Sequence, residues 1–262
     1  MSRQRTVKAR TKSKNQSAAV YELSNALINN YEARKIGPKA KTWHIRDMVN
    51  IQPLTETQKD FFAAFYSGAD VIGVGSAGTG KTFISLYLAI SDILDPQQPQ
   101  QKLIIVRSNA ASREMGHLPG TAEEKMSGFE APYRVILSEL FGRESTYDDM
   151  KEAGIIEFVS TSFIRGMTWS DSFVLCDEIQ NLNLHEIDTV VTRLGDTSRL
   201  IGVGDIRQTD LIYKKNDVSG LGAALQVFAR MPTVSTVTFT KNDIVRSGLC
   251  RDWIVAREDL NL

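Results

Sequence analysis

The amino-acid sequence predicts an α/β fold around a mainly parallel sheet, and three stretches carry that expectation. Residues 70–93 read as strand, glycine loop and helix in direct succession. Phe173-Val174-Leu175-Cys176 is an apolar strand that runs straight into Asp177-Glu178. Leu200-Ile201-Gly202-Val203-Gly204-Asp205 repeats that strand-then-carboxylate design. Short apolar runs alternating with helical spacing point to βα units.

Composition sets the outer bounds. A chain of 262 residues, 42% hydrophobic and 24% charged, is long enough for one well-buried α/β domain with extensions. No apolar run reaches the length of a membrane span, and the N-terminus lacks an apolar signal core. Cys176 and Cys250 make no disulfide framework, and His44, His117 and His185 show no metal-ligand spacing. The expectation is a cytoplasmic protein without a membrane partner.

Charge divides the chain. Residues 1–50 hold eleven Lys/Arg against three Asp/Glu, and the remainder twenty against twenty-eight. Arg3, Arg5, Lys8, Arg10, Lys12 and Lys14 come with no acid among them. This predicts a basic, partly flexible N-terminal extension over 1–50 and a core domain over 51–262. Such an arm can contact nucleic acid; a solvated tail is the plainer reading.

Taken in order, residues 18–33 show helical spacing, broken by Gly37-Pro38. A connector over 41–50 precedes a helix through Tyr66 that Leu54-Thr55-Glu56-Thr57-Gln58 opens, capped by Thr55 or Thr57. Gln58 is a candidate adenine reader, because its amide offers both a donor and an acceptor. A glutamine on the surface of a packing helix is the alternative.

Residues 75–82 fit G-x-x-x-x-G-K-[ST] at every fixed position. Gly75, Gly78 and Gly80 free the backbone, so that the N–H groups around Ser76, Ala77 and Thr79 can converge on phosphate oxygens. Lys81 would bridge the β- and γ-phosphates and Thr82 would offer its hydroxyl to Mg²⁺. Gly73-x-Gly75-x-x-Gly78 also matches a dinucleotide fingerprint, but Lys81-Thr82 favours a triphosphate.

A turn over 95–99 leads to a strand over 102–107, which leaves Arg107 at its carboxyl end, where ligands meet α/β sheets. A loop closes on Leu118-Pro119-Gly120, a helix covers 132–140, and residues 147–152 read as acidic and exposed. A strand over 155–159 precedes the Phe173-to-Glu178 run. Carboxylates emerging from a buried strand are costly unless a cation or hydrogen bonds receive them. Asp177 would hold the Mg²⁺ shell and Glu178 would polarise the attacking water. After Asp205, Gln208 is placed to touch the γ-phosphate or the water. A helix over 220–230, a strand over 234–240 and a C-terminal helix with Trp253 complete the chain, with no internal repeat.

Together these residues resemble the PhoH family of P-loop ATPases. The matching features are residues 75–82, Leu118-Pro119-Gly120, Arg165-Gly166 and Asp177-Glu178-Ile179-Gln180-Asn181. Further along come Gly204-Asp205 with Gln208-Thr209-Asp210-Leu211, then Ser219-Gly220-Leu221 and Ile244-Val245-Arg246. The resemblance runs from about Ile51 to the C-terminus. It implies a three-layer RecA-like core related to superfamily-one helicases, and ATP hydrolysis with Mg²⁺. It also implies Asp205 among the nucleotide-binding residues, action on RNA or single-stranded nucleic acid, and Arg246 as an arginine finger.

One such core is half of what a two-core helicase uses, so a neighbouring subunit is expected to complete the site, in a hexameric ring as the family suggests. Arg107, Arg113, Arg165 and the arm would grip a strand. Phe129 and Trp169 have rings that could stack on bases, but a core role is the plainer reading of both. The competing class is an ATP-driven protein-interaction switch. There is no Asn-Lys-x-Asp guanine reader.

Overall fold

The computed structural model describes residues 43–108, 122–206 and 218–260, the first six of the middle stretch by their backbone alone. The basic arm, Arg113, Leu118-Pro119-Gly120 and Gln208 with Thr209-Asp210-Leu211 lie outside the described residues.

Six apolar runs form the strands β1 (Asp70–Gly75), β2 (Lys102–Arg107), β3 (Ile156–Ser160), β4 (Ser172–Asp177), β5 (Arg199–Gly204) and β6 (Val234–Phe239). They pair in the order β3-β2-β4-β5-β1-β6, and every pairing is parallel. β5 therefore lies between the glycine-loop strand β1 and the carboxylate strand β4. Opposing Ile201 to both Val71 and Leu175 sets that register. All carboxyl ends reach one rim, where loops from several strands can meet.

Strand side chains alternate between two faces, and each face has its own core. Val71, Leu103, Ile105, Phe173, Leu175, Ile201 and Val203 pack on one side. Their neighbours Ile72, Val74, Ile104, Val106, Val174, Cys176 and Leu200 pack on the other. The first face is covered by α1 (Glu56–Tyr66), α2 (Lys81–Ile93), α3 (Ala122–Phe141) and α4 (Thr146–Glu152). The second is covered by α5 (Leu184–Val191) and α6 (Leu221–Phe228). This is the three-layer α/β arrangement expected of a RecA-like P-loop core.

Helix ends follow local chemistry. The Thr55 hydroxyl accepts from the Gln58 N–H at 3.1 Å and starts α1. Asn183 and Glu186 form a reciprocal capping box at the start of α5. Two expectations need correction. The third helix starts at Ala122, and Pro132 sits inside it, although proline suits a first turn best. Residues 147–152 are not simply exposed, because Tyr147 and Met150, three apart on α4, are fully buried while Asp148 and Lys151 face water. A last helix, α7 (Gly248–Asp259), has no buried residue. No described helix is long and apolar enough to cross a membrane.

Candidate functional site

The glycine loop is held from three sides. Gly75 has φ 124°, and a Cβ there would come within 1.9 Å of the Phe239 carbonyl oxygen at the end of β6. Only glycine fits. The Ser76 N–H donates to that same oxygen at 3.2 Å. On the far side, the Val245 N–H donates to the Gly78 carbonyl at 3.0 Å. From below, Gln58 Nε2 donates to the Thr79 carbonyl at 2.9 Å while its Oε1 accepts from the Leu54 N–H at 2.7 Å. Gln58 is 2% exposed, so this amide is a strut between the start of α1 and the loop.

Gly80, with φ 80°, turns the chain into α2, whose free N–H groups point back at the loop. Lys81 Nζ donates to the carbonyls of Gly75 at 2.9 Å and Ser76 at 2.7 Å, and lies 3.3 Å from Thr79 Oγ1. Burial pushes the Lys81 ammonium below its ordinary value, and the charges of Asp205, Glu178 and Asp177 oppose that fall.

The loop and the carboxylate strand meet directly. Thr82 Oγ1 donates to Asp177 Oδ1 at 2.9 Å, across 95 residues of sequence. The other oxygen, Oδ2, accepts from the Tyr133 hydroxyl of α3 at 2.7 Å. Burial, and then the charge of Asp177, push the Tyr133 phenol well above its ordinary value, so it stays a donor.

Glu178 follows in the left-handed region, φ 53° and ψ 44°. That is a strained conformation for a residue with a side chain, and such strain gathers at functional sites. Burial, then the adjacent Asp177, raise its pKa. Gln180 Nε2 donates to Glu178 Oε2 at 2.5 Å, and Gln180 Oε1 accepts from the Asp205 N–H at 3.0 Å. One glutamine thus ties the ends of β4 and β5 together. A Cβ at Gly204 would lie 2.2 Å from Gln180 Oε1, so the close approach requires glycine there.

These groups border a cavity of about 920 Å³. Ala77, Gly78, Thr79, Gly80, Lys81, Thr82, Asp177, Glu178, Asp205, Gln58 and Arg246 all line it. Its far wall is more apolar, with Ile51, Leu54, Val135 and Ile136. Arg246 is exposed, and its Cγ lies 3.1 Å from where a Cβ on Gly78 would stand, directly over the loop. Among the described residues no cluster of three or more His, Cys, Asp or Glu could hold a metal unaided. One hydroxyl and one carboxylate beside a phosphate cradle suit Mg²⁺, which takes its remaining ligands from phosphates and water.

The structure therefore brings together the described members of the expected set, and Gln208 lies outside the described residues. Arg107 stands at the end of β2 with its guanidinium 5.7 Å from the half-buried Phe129 ring, and its charge lowers the pKa of Glu178. Arg165 is exposed beside a separate cavity of about 290 Å³ that Ser162 and His185 also border. Trp169 takes the core role that is its plainer reading. It is 6% exposed among the apolar side chains of the second face, and its backbone bridges to Leu194.

Sequence reasoning missed Tyr133. The available signal was its place with Leu137 and Leu140 on one helical face, since a phenol on a buried face needs a partner.

The family described as PhoH-like protein matches residues 50–258 of this chain. A PhoH-like protein of Bacillus subtilis (strain 168) is 32% identical over 213 residues, which cover 81% of this chain and 65% of the relative. Protein PhoH of Escherichia coli (strain K12) is 33% identical over 208 residues, which cover 79% of this chain and 58% of the relative. The chain thus spans less than two thirds of the length of these curated relatives. Among solved structures, the HK97 bacteriophage large terminase overlays with a TM-score of 0.45 at 14% identity, covering 76% of this chain and 42% of that one. The Pif1 helicase from Candida albicans overlays with a TM-score of 0.37 at 18% identity, covering 72% and 40%.

Proposed function

This chain belongs to the PhoH-like protein family, and we propose that it is a cytoplasmic ATPase that hydrolyses ATP with Mg²⁺ in step with binding RNA or another single-stranded nucleic acid. The observation that carries this reading is the Thr82–Asp177 hydrogen bond at 2.9 Å. It puts the phosphate cradle and the strand-end carboxylates at one point, the layout that phosphoryl transfer requires.

Thr82 and Asp177 would hold Mg²⁺, which would supply charge neutralisation on the phosphates. Lys81 exchanges its loop carbonyls for phosphate oxygens, as expected of a cation parked on provisional acceptors. Glu178, aimed by Gln180, orients the attacking water and accepts its proton. Asp205 sits at the same rim, and Gln208, three residues on in sequence, is the group assigned to touch the γ-phosphate or the water. Gln58 would read adenine only through the amide hydrogen and lone pair that its two backbone bonds leave over.

Arg246 offsets transition-state charge, either from its seat over Gly78 or across a subunit interface. The proposed assembly is a homo-oligomer, a hexameric ring as first expected; Leu249 and Trp253, exposed apolar side chains on the helix that follows that arginine in sequence, are consistent with a subunit contact. Arg107, Arg165 and the basic arm are the proposed contacts to a nucleic-acid strand. The same exposed face of α7 favours a second reading, an ATP-driven switch that binds a protein partner and does no work on nucleic acid.

Phosphate release is measured with and without single-stranded RNA and DNA, alongside the mass in solution. ATP turnover that either nucleic acid stimulates is expected, and Lys81→Ala should abolish it. Turnover indifferent to both nucleic acids supports the switch. Unchanged turnover in Lys81→Ala refutes the site.

A further inference from the structure

We propose that Tyr133 is a positioning residue that fixes the orientation of the Asp177 carboxylate toward the metal, through the hydrogen bond from its hydroxyl to Asp177 Oδ2. The proposal rests on the reading of Asp177 as the metal-holding carboxylate.

The terminal torsion of an aspartate is broad, so a carboxylate with a single partner can swivel. Here each oxygen has its own donor, Thr82 on Oδ1 and Tyr133 on Oδ2. The two bonds fall on different oxygens and together leave one orientation. Mg²⁺ tolerates little departure from octahedral geometry, so a swivelling ligand weakens its hold. Groups that orient metal ligands from behind typically alter metal affinity or activity by roughly 10–100-fold.

Packing does not explain the hydroxyl. Tyr133 is fully buried on the first face of the sheet, with its ring 5.9 Å from that of Phe158. A phenylalanine would fill that space equally well. Burying a hydroxyl is costly unless it is bonded, and among the described residues its partner is Asp177 alone. The bond also spans elements, since α3 lies across the nucleotide cavity and lines it with Pro132, Val135 and Ile136. The helix that walls the cavity thereby sets the angle of the carboxylate at its other end.

The test compares full-length wild type, Tyr133→Phe and Tyr133→Met, the last of which keeps most of the volume. Three quantities are read: ADP affinity in EDTA, Mn²⁺ binding to the protein–ADP complex by electron paramagnetic resonance, and the Mg²⁺ concentration that half-saturates ATP hydrolysis. Loss of the hydroxyl should leave ADP affinity in EDTA within about twofold. It should weaken Mn²⁺ binding and raise the half-saturating Mg²⁺ by roughly 10–100-fold. A wild-type metal dependence in Tyr133→Phe overturns the proposal. So does failure of both variants to fold, which would place the hydroxyl's role in the core. Asp177→Asn separates the two levels. If it keeps the wild-type metal dependence, the reading of Asp177 fails; if it alone loses that dependence, only the role of Tyr133 fails.

Discussion

At the amino end of the sheet Arg199, the first residue of β5, is half-buried among fixed partners. Its Nη2 donates to the carbonyls of Phe65 at 2.5 Å and Ala69 at 2.7 Å, and its guanidinium lies 4.4 Å from the Phe65 ring and 5.3 Å from the Phe173 ring. Asp92 stands 3.9 Å away. At the carboxyl end of the same sheet Lys81 is buried, but within reach of the charges of Asp205, Glu178, Asp177 and Glu258 and beside a cavity of about 920 Å³.

Both cations donate to backbone carbonyls, and burial disfavours the charge of both. The difference lies in what else is within reach. The partners of Arg199 are fixed parts of the protein, whereas the carbonyls under Lys81 border a cavity in which phosphate oxygens, if the proposed reading holds, would be better acceptors for a cation. One end uses a charge to lock the sheet, and on the proposed reading the other holds one ready for an anion.

Three substitutions test that contrast, beginning with the largest effect. Glu178→Gln should slow single-turnover phosphate release by roughly 10²–10⁴-fold while ATP binding and thermal melting stay near wild type. Loss of ATP binding instead would make Glu178 part of the scaffold, like Arg199. Arg199→Met should do the opposite, costing about 3–5 kcal/mol in denaturant unfolding because Asp92 and two carbonyls lose a buried partner. Turnover per folded molecule should not change, and a large fall in it would erase the distinction between the ends. Gln58→Ala should have the smallest effect, about 1 kcal/mol, and should weaken ATP and GTP binding alike, as removal of a strut does. A loss confined to ATP would restore adenine reading to this residue.

How far the sequence reveals these two ends also differs. The carboxyl end is legible because its chemistry is local. Gly75, Gly80, Lys81 and Thr82 are nearly contiguous, and each set of carboxylates follows its own apolar run. Parallel strands then bring those run-ends to one rim. The placement of β5 between β1 and β4, which lets Gln180 reach from Glu178 to the Asp205 amide, is a matter of strand order that no local pattern encodes.

Long-range partners were equally hidden. Gln58 donates across 21 residues, Tyr133 across 44 and Arg199 to a carbonyl across 134. The acidic stretch around α4 misled because its charges outnumber Tyr147 and Met150, yet two apolar residues three apart suffice to seat a short helix. Trp169 was legible as a core residue, since a ring suited to stacking on bases is equally suited to packing.

The contact between Gly75 and Phe239 reaches further than the turn it permits. Among the described strands β6 is the outermost on its side, and its ladder pairs it with β1 alone. A methyl group at position 75 would push against a peptide of that border ribbon, and the cheapest relief would be for the ribbon to peel away. The tail that follows it, including the amide latched onto Gly78, would drift off too. A bare α-carbon in the cradle is thus what keeps Arg246 moored above it.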